Sequence, residues 1–95
     1  MPEMRFRVRL PDDSELNCYS PSLVVKDYLT PGAEYALGDF MQRCRDALHI
    51  ASERVRAKYG YACSAAMDQL AELETQALRF AAQADAKVVV IEFRE

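Results

Sequence analysis

The stretch Met4-Arg5-Phe6-Arg7-Val8-Arg9-Leu10-Pro11-Asp12-Asp13-Ser14-Glu15-Leu16-Asn17-Cys18 decides the fold. Its first part alternates without a break, Met4, Phe6, Val8 and Leu10 against Arg5, Arg7 and Arg9, which is the period of a strand with one buried face. Pro11-Asp12-Asp13 then suits a three-residue hairpin loop. Proline presets φ at the first position, and aspartate tolerates the left-handed third position better than most residues other than glycine. Closing the loop with Leu10 opposite Ser14 sets the register. Val8 then faces Leu16 and Phe6 faces Cys18, while Arg9 meets Glu15 and Arg7 meets Asn17. A slip of one residue would turn every apolar side chain to water, so the pairing is fixed by chemistry.

Beyond this hairpin, Ser20 to Leu37 carries mixed signals. Ser20-Pro21 reads as a cap followed by a first-turn proline, and Leu23 to Leu29 as two helical turns stopped by Thr30-Pro31-Gly32. Asp39 stands as the N-cap of a helix running to about Tyr59, with Gly60 where a left-handed C-cap is needed. Phe40, Cys44, Ala47, Leu48, Ala51, Val55 and Tyr59 fall on one face of it. Ser64 caps a second helix extending to about Ala82, with Met67, Leu70, Leu73, Ala77 and Phe80 as its core stripe. The short link makes the two helices antiparallel neighbours. Lys87 to Phe93 reads as a final strand with Val89, Ile91 and Phe93 inward and Val88 and Val90 on the opposite face.

The expected architecture is therefore α+β: a single domain over residues 1–95 in the order ββααβ. A three-stranded, mainly antiparallel sheet is packed on one face by an antiparallel helical hairpin, with the first strand central and Glu92 near the arginine ladder. The final strand is then an edge whose outward Val88 and Val90 need a cover, either the Ser20 to Leu37 segment or a second copy of the chain. Alanines at 62, 65, 66, 71, 77, 81, 82 and 84 let other backbones approach closely on several sides, which also hints at a second neighbour.

Composition narrows the function classes. At 95 residues and 51% hydrophobic the chain buries a modest core but no large enclosed pocket, which disfavours a cofactor enzyme working alone. A net charge of −3 offers no general attraction to phosphate backbones or anionic lipid, so neither nucleic acid nor membrane is expected as a partner. The start lacks the apolar run of a signal peptide, and the longest apolar stretch, Val88 to Ile91, is far short of a membrane span, so a cytoplasmic location is expected. Cys18, Cys44 and Cys63 are an odd number at wide spacings, which suits reduced thiols rather than a disulfide framework.

No constellation for bond-making chemistry stands out. His49 aligns with Arg45 and Glu53 one turn either side, the pattern of a solvated helical side chain as much as of an oriented base. Cys44 lies about 140° around the helix from His49, so the two share neither a metal nor a proton, and no metal site or cofactor is expected. Cys63 sits at a helix start, where the dipole lowers a thiol pKa, though a free cysteine there also serves simply as packing. Arg5, Arg7 and Arg9, with Arg43, Arg45, Arg54, Arg56 and Lys58, could form a basic surface for nucleic acid or an anionic metabolite, but carboxylates lie within pairing distance in sequence geometry, which describes a solvated face. Tyr19, Tyr28, Tyr35, Tyr59 and Tyr61 are many phenols for so short a chain, and tyrosine with arginine suits a protein-binding face.

The segments Met1-Pro2-Glu3-Met4, Cys18-Tyr19-Ser20-Pro21-Ser22 with Val24 to Leu29, Ala51-Ser52-Glu53-Arg54-Val55 through Lys58-Tyr59-Gly60, and Ala62-Cys63-Ser64 resemble a small bacterial nitrogen-starvation response family. The resemblance spans nearly the whole chain. It implies a protein encoded beside a nitrilase in a gene cluster tied to nitrogen scavenging and cyanide assimilation. It carries over no catalytic residues. Asp13 departs from the glycine that the family would place in the hairpin. The expectation is a non-enzymatic accessory or regulatory protein, a homodimer or small homo-oligomer associating through Val88 and Val90 or the alanine-rich helix, and contacting an enzyme of the cluster. The alternative is a small-ligand-binding module or minor enzyme for a nitrogen-containing metabolite, using Tyr19, Lys26, Arg54, Lys58 and Tyr59.

Overall fold

The hairpin forms as its residues require. In a computed structural model that describes residues 3–61 and 64–95, strand β1 (Met4–Arg9) pairs antiparallel with β2 (Glu15–Ser20). The register is the expected one, with Phe6 opposite Cys18, Val8 opposite Leu16 and Arg9 opposite Glu15. Leu10 N–H donates to Ser14 O at 2.7 Å, and Asp13 takes the left-handed conformation at φ 68°. Asp12 caps the loop by accepting from the Ser14 amide and hydroxyl.

The sheet has four strands, not three. Ser22, rather than Ser20, caps a short 3-10 helix over Leu23–Asp27, its Oγ accepting the Val24 N–H. Beyond Gly32, in the left-handed region at φ 84°, the chain runs as β3 (Glu34–Ala36) along the final strand β4 (Lys87–Arg94), giving the order β2-β1-β4-β3. Glu34 faces Val89 and Ala36 faces Lys87, while Val90 N–H donates to Ala33 O. β4 is therefore an interior strand: the segment from 20 to 37 supplies the neighbour that the open edge called for.

Val88 and Val90 correct the sequence reading. Both are 0% exposed, on the core side of β4 rather than on the opposite face. The cause is a bulge against β1: Val8 pairs with Val90 but Arg7 pairs with Glu92, so Ile91 is the extra residue. Counting back from the inward Phe93 with strict alternation puts the valines on the wrong face, because a bulge reverses the alternation past it. Phe93 itself lies opposite Phe6 and packs against the core, as expected.

The first helix starts, and the second stops, earlier than the sequence suggests. Helix α1 (Leu37–Tyr59) begins two residues before Asp39, with Ala36 at the N-cap and no side-chain cap. Tertiary structure substitutes: the Leu37 N–H donates to Ala86 O at 3.0 Å, satisfying one of the amides a helix start leaves open. Asp39 instead pairs with Arg43 one turn on, at 3.0 Å. Gly60 closes α1 at φ 82°, its N–H returning to Arg56 O. Helix α2 (Ser64–Leu78) ends before Ala82. Past Leu78 the bonds shorten to three-residue turns, such as Phe80 N–H to Ala77 O, which tuck Phe80 into the core and turn the chain toward β4.

The core lies between the sheet and the helices. Met4, Phe6 and Val8 of β1 and Val88 and Val90 of β4 meet Phe40, Cys44 and Leu48 of α1 and Leu70 and Leu73 of α2. Arg45 of α1 bonds Glu74 of α2 at 3.3 Å, and the start of α1 lies beside the end of α2, which makes the helices antiparallel. On the other face of the sheet, Arg7 sits between Glu15 at 3.5 Å and Glu92 at 3.2 Å, as the ladder geometry suggests. Arg9–Glu15 and Arg94–Glu92 extend this exposed mesh, whose pairs contribute about 0–1 kcal/mol each.

Candidate functional site

An open groove forms where α1 begins and α2 ends. Ala36, Leu37 and Gly38 at the start of α1, and Ala77, Ala81 and Ala84 at and beyond the end of α2, line the space between them with mostly small side chains. The result is a groove of about 600 Å³, within the usual range for ligand sites, open to solvent. Met41, Ala77, Phe80, Ala81 and Ala84 contribute much of its apolar lining. Leu78, on the same wall, is 76% exposed, the most exposed large apolar residue described. The Arg45–Glu74 pair is the charged part of the lining, with both side chains nearly half exposed. Apolar area with one compensated charge pair suits an apolar partner with matched polar groups; it is not an arrangement for moving protons.

A smaller, polar opening of about 220 Å³ lies across the hairpin tip, where Asp13, Glu34 and Asp85 share the lining with Arg9 and Lys87. The nearby tip is clasped to the end of α2, since Arg79 donates to Asp12 at 2.8 Å. The Ser14 hydroxyl and amide, with Arg79 adding a lesser contribution, hold the Asp12 carboxyl below its ordinary value.

The residues expected to bind a ligand each have partners within the chain. The Tyr19 hydroxyl donates to Glu3 at 2.9 Å, its ring lies under Arg5, and its backbone N–H donates to Gln69 Oε1 at 2.9 Å. Lys26 pairs with Glu95 at 3.0 Å. Arg54 is the one that reaches the 3-10 segment, donating to Ser22 Oγ at 2.9 Å. Lys58 lies over the Tyr59 ring at 5.6 Å, and Tyr59 and Tyr61 stack at 6.1 Å on the exposed end of α1. Each of these residues is thus engaged with a different partner. His49 is exposed on α1.

Cys18 and Cys44 are buried free thiols. Burial raises the Cys18 thiol far above its ordinary range, with Cys44 and Glu72 nearby adding to the shift. Burial pushes Cys44 up to about 12, partly offset by Arg45. Neither is a nucleophile in the folded chain. Cys63, expected at the head of the second helix, lies outside the described residues, as does Ala62. Among the described residues no group of three or more His, Cys, Asp and Glu is arranged to hold a metal ion, and no helix is long and apolar enough to cross a membrane.

Sequence reasoning missed the groove as a place, although the surplus alanines 77, 81 and 84 were its signal. Leu37, Gly38 and Met41, which complete it from the other helix, carried none.

Compared with known proteins, residues 5–93 match the model of a family described as nitrogen starvation-induced protein NitG. No curated protein and no solved structure matches the chain.

Proposed function

We propose that this chain, which belongs to the nitrogen starvation-induced protein NitG family, acts as a non-enzymatic accessory or regulatory protein of that response, through self-association and protein contacts in the cytoplasm. The observation that supports this is the groove between α1 and α2: a wall with an exposed leucine and small apolar neighbours lies outside the closed core. Exposed apolar surface of this kind marks a contact site on a small protein. The resemblance to a family encoded beside a nitrilase supplies the partner to try first, an enzyme of the same gene cluster.

The test is titration of that purified nitrilase with the chain. A saturable change in nitrilase turnover or assembly is the expected result, with the chain alone leaving nitriles and amides unconsumed. Turnover by the chain itself, or a nitrilase indifferent to it at saturation, overturns the reading. The volume of the groove favours a second reading, a small-ligand module for a nitrogen-containing metabolite. A saturable rise in melting temperature with a nitrile, an amide or a nucleotide would select it.

A further inference from the structure

We infer that the outer edge of β2 pairs with β2 of a second copy, in a two-fold dimer whose sheets join edge to edge. This rests on the self-association part of the reading above, and deepens it by placing the contact on the sheet rather than in the groove.

The first observation is a short row of backbone groups that point outward. In the order β2-β1-β4-β3, β2 is an outer strand. Bonded and non-bonded pairs alternate along an antiparallel ladder, and the bond from Leu10 N–H to Ser14 O sets the phase. Leu16, Cys18 and Ser20 therefore bond β1, while Glu15, Asn17 and Tyr19 turn their N–H and C=O groups away from it. Tyr19 bears this out, since its N–H goes to Gln69 Oε1 on α2 at 2.9 Å. Gln69 thus closes that end of the edge. Glu15 and Asn17 are exposed, and the hydrogen bonds among the described residues leave their outward backbone groups open. Open peptide groups in a row are matched by another extended backbone.

The second observation is the register that a copy of β2 can take. A two-fold axis at Leu16 sets Glu15 of each copy opposite Asn17 of the other, each residue exchanging both its N–H and its C=O. Moving the axis to Glu15 sets carboxylate against carboxylate. Moving it to Asn17 requires the Tyr19 N–H that Gln69 already holds. At the retained axis Leu16, half-buried and packed against the core, meets its own copy, apolar against apolar.

The third observation is charge, and it selects the occupant. The same register sets Asp13 of one copy opposite Tyr19 of the other, and Arg5 lies over that Tyr19 ring at 5.4 Å. Arg5 and Asp13 are both exposed, and neither has an ion pair among the described residues of its own chain. The dimer joins them on both sides of the axis, so the two copies attract. An unrelated extended peptide meets the backbone groups equally well but brings no carboxylate at this spacing. At the far edge of the sheet β3 has only three residues, so the pairing closes on two copies instead of running on into a fibre.

Sedimentation velocity across a concentration series tests this, using the full chain with no nitrilase present. Wild type should pass from monomer to dimer as concentration rises, because few residues meet at the axis. Asn17→Pro deletes a donor that faces outward and makes no bond to β1, so the variant should stay folded by circular dichroism and remain monomeric. Arg5→Glu and Asp13→Lys should each weaken the dimer about tenfold, since repelling pairs replace attracting ones on both sides of the axis. Both changes in one chain should return association to the wild-type level, because the exchanged charges meet again. A wild type that is monomeric at every concentration, a folded Asn17→Pro dimer as tight as wild type, or a double variant no tighter than the single ones overturns the inference. If wild type stays monomeric and Asn17→Pro abolishes its effect on the nitrilase, the edge belongs to that enzyme and not to a second copy. A dimer leaves the nitrilase titration free to fail, and a monomer leaves it free to succeed.

Discussion

Arg54 Nη1 donates to Ser22 Oγ at 2.9 Å, tying the second half of α1 to the cap of the 3-10 helix. The same oxygen accepts the Val24 N–H at 3.3 Å, so one buried hydroxyl serves both the cap and the tertiary contact. Ser22→Ala removes both hydrogen bonds at once and should cost about 1–2 kcal/mol in urea unfolding. Adding Arg54→Ala to that variant should cost little more, because the bond is already gone. Full additivity of the two losses would show that Arg54 stabilises the fold by another route.

The bulge at Ile91 separates neighbours that look alike in sequence. Val90→Lys places a charge in the closed core and should lower the melting temperature sharply or prevent folding. Ile91→Lys, at the extra, half-buried position, should cost only about 1 kcal/mol. Thermal melts of the two variants read the difference directly. Equal losses would place the bulge elsewhere.

Alkali should unfold the protein through its thiols. A thiol whose pKa is raised in the folded state is protonated there while the unfolded chain ionises, so stability holds below the ordinary value of 9.0 and falls above it. For Cys44 the fall runs from pH 9.0 to about 12, at about 1.4 kcal/mol per pH unit. Cys44→Ala should flatten that limb of the stability profile. In the same window a thiol reagent should label Cys18 and Cys44 only at the rate of unfolding.

Acid acts on the hairpin clasp with the opposite sign. The Asp12 carboxyl is held below its ordinary 3.8 by Ser14 and Arg79, so its contribution is complete above that value and is lost as pH falls through the lowered one. Asp12→Asn should remove this acid-sensitive part, and its melting temperature should depend less on pH below 3.8. An unchanged profile would mean that the clasp is open in solution.

The hairpin was legible in the sequence because everything that sets it is local. Alternation from Met4 to Leu10 fixes the face, Pro11 and Asp13 fix the turn, and together they fix the register with no other part of the chain. The two helices were legible for the same reason: apolar spacing and Gly60 mark α1, and the stripe through Leu70 and Leu73 marks α2. The family was legible in short segments spread along the chain.

What the tertiary structure alone decided is every feature made by chains that meet from far apart. The helix start at Leu37 depends on Ala86, and β3 exists as a strand because β4 offers it an edge. The facing of Val88 and Val90 depends on one extra residue, Ile91, which only pairing with β1 reveals. The groove combines residues from both ends of the helical hairpin, with the alanines visible in sequence and the space beside them not. Periodicity carries information over a few residues. Where a strand slips by one, or two helix ends frame a gap, the deciding energy lies in contacts between segments, which no local pattern records.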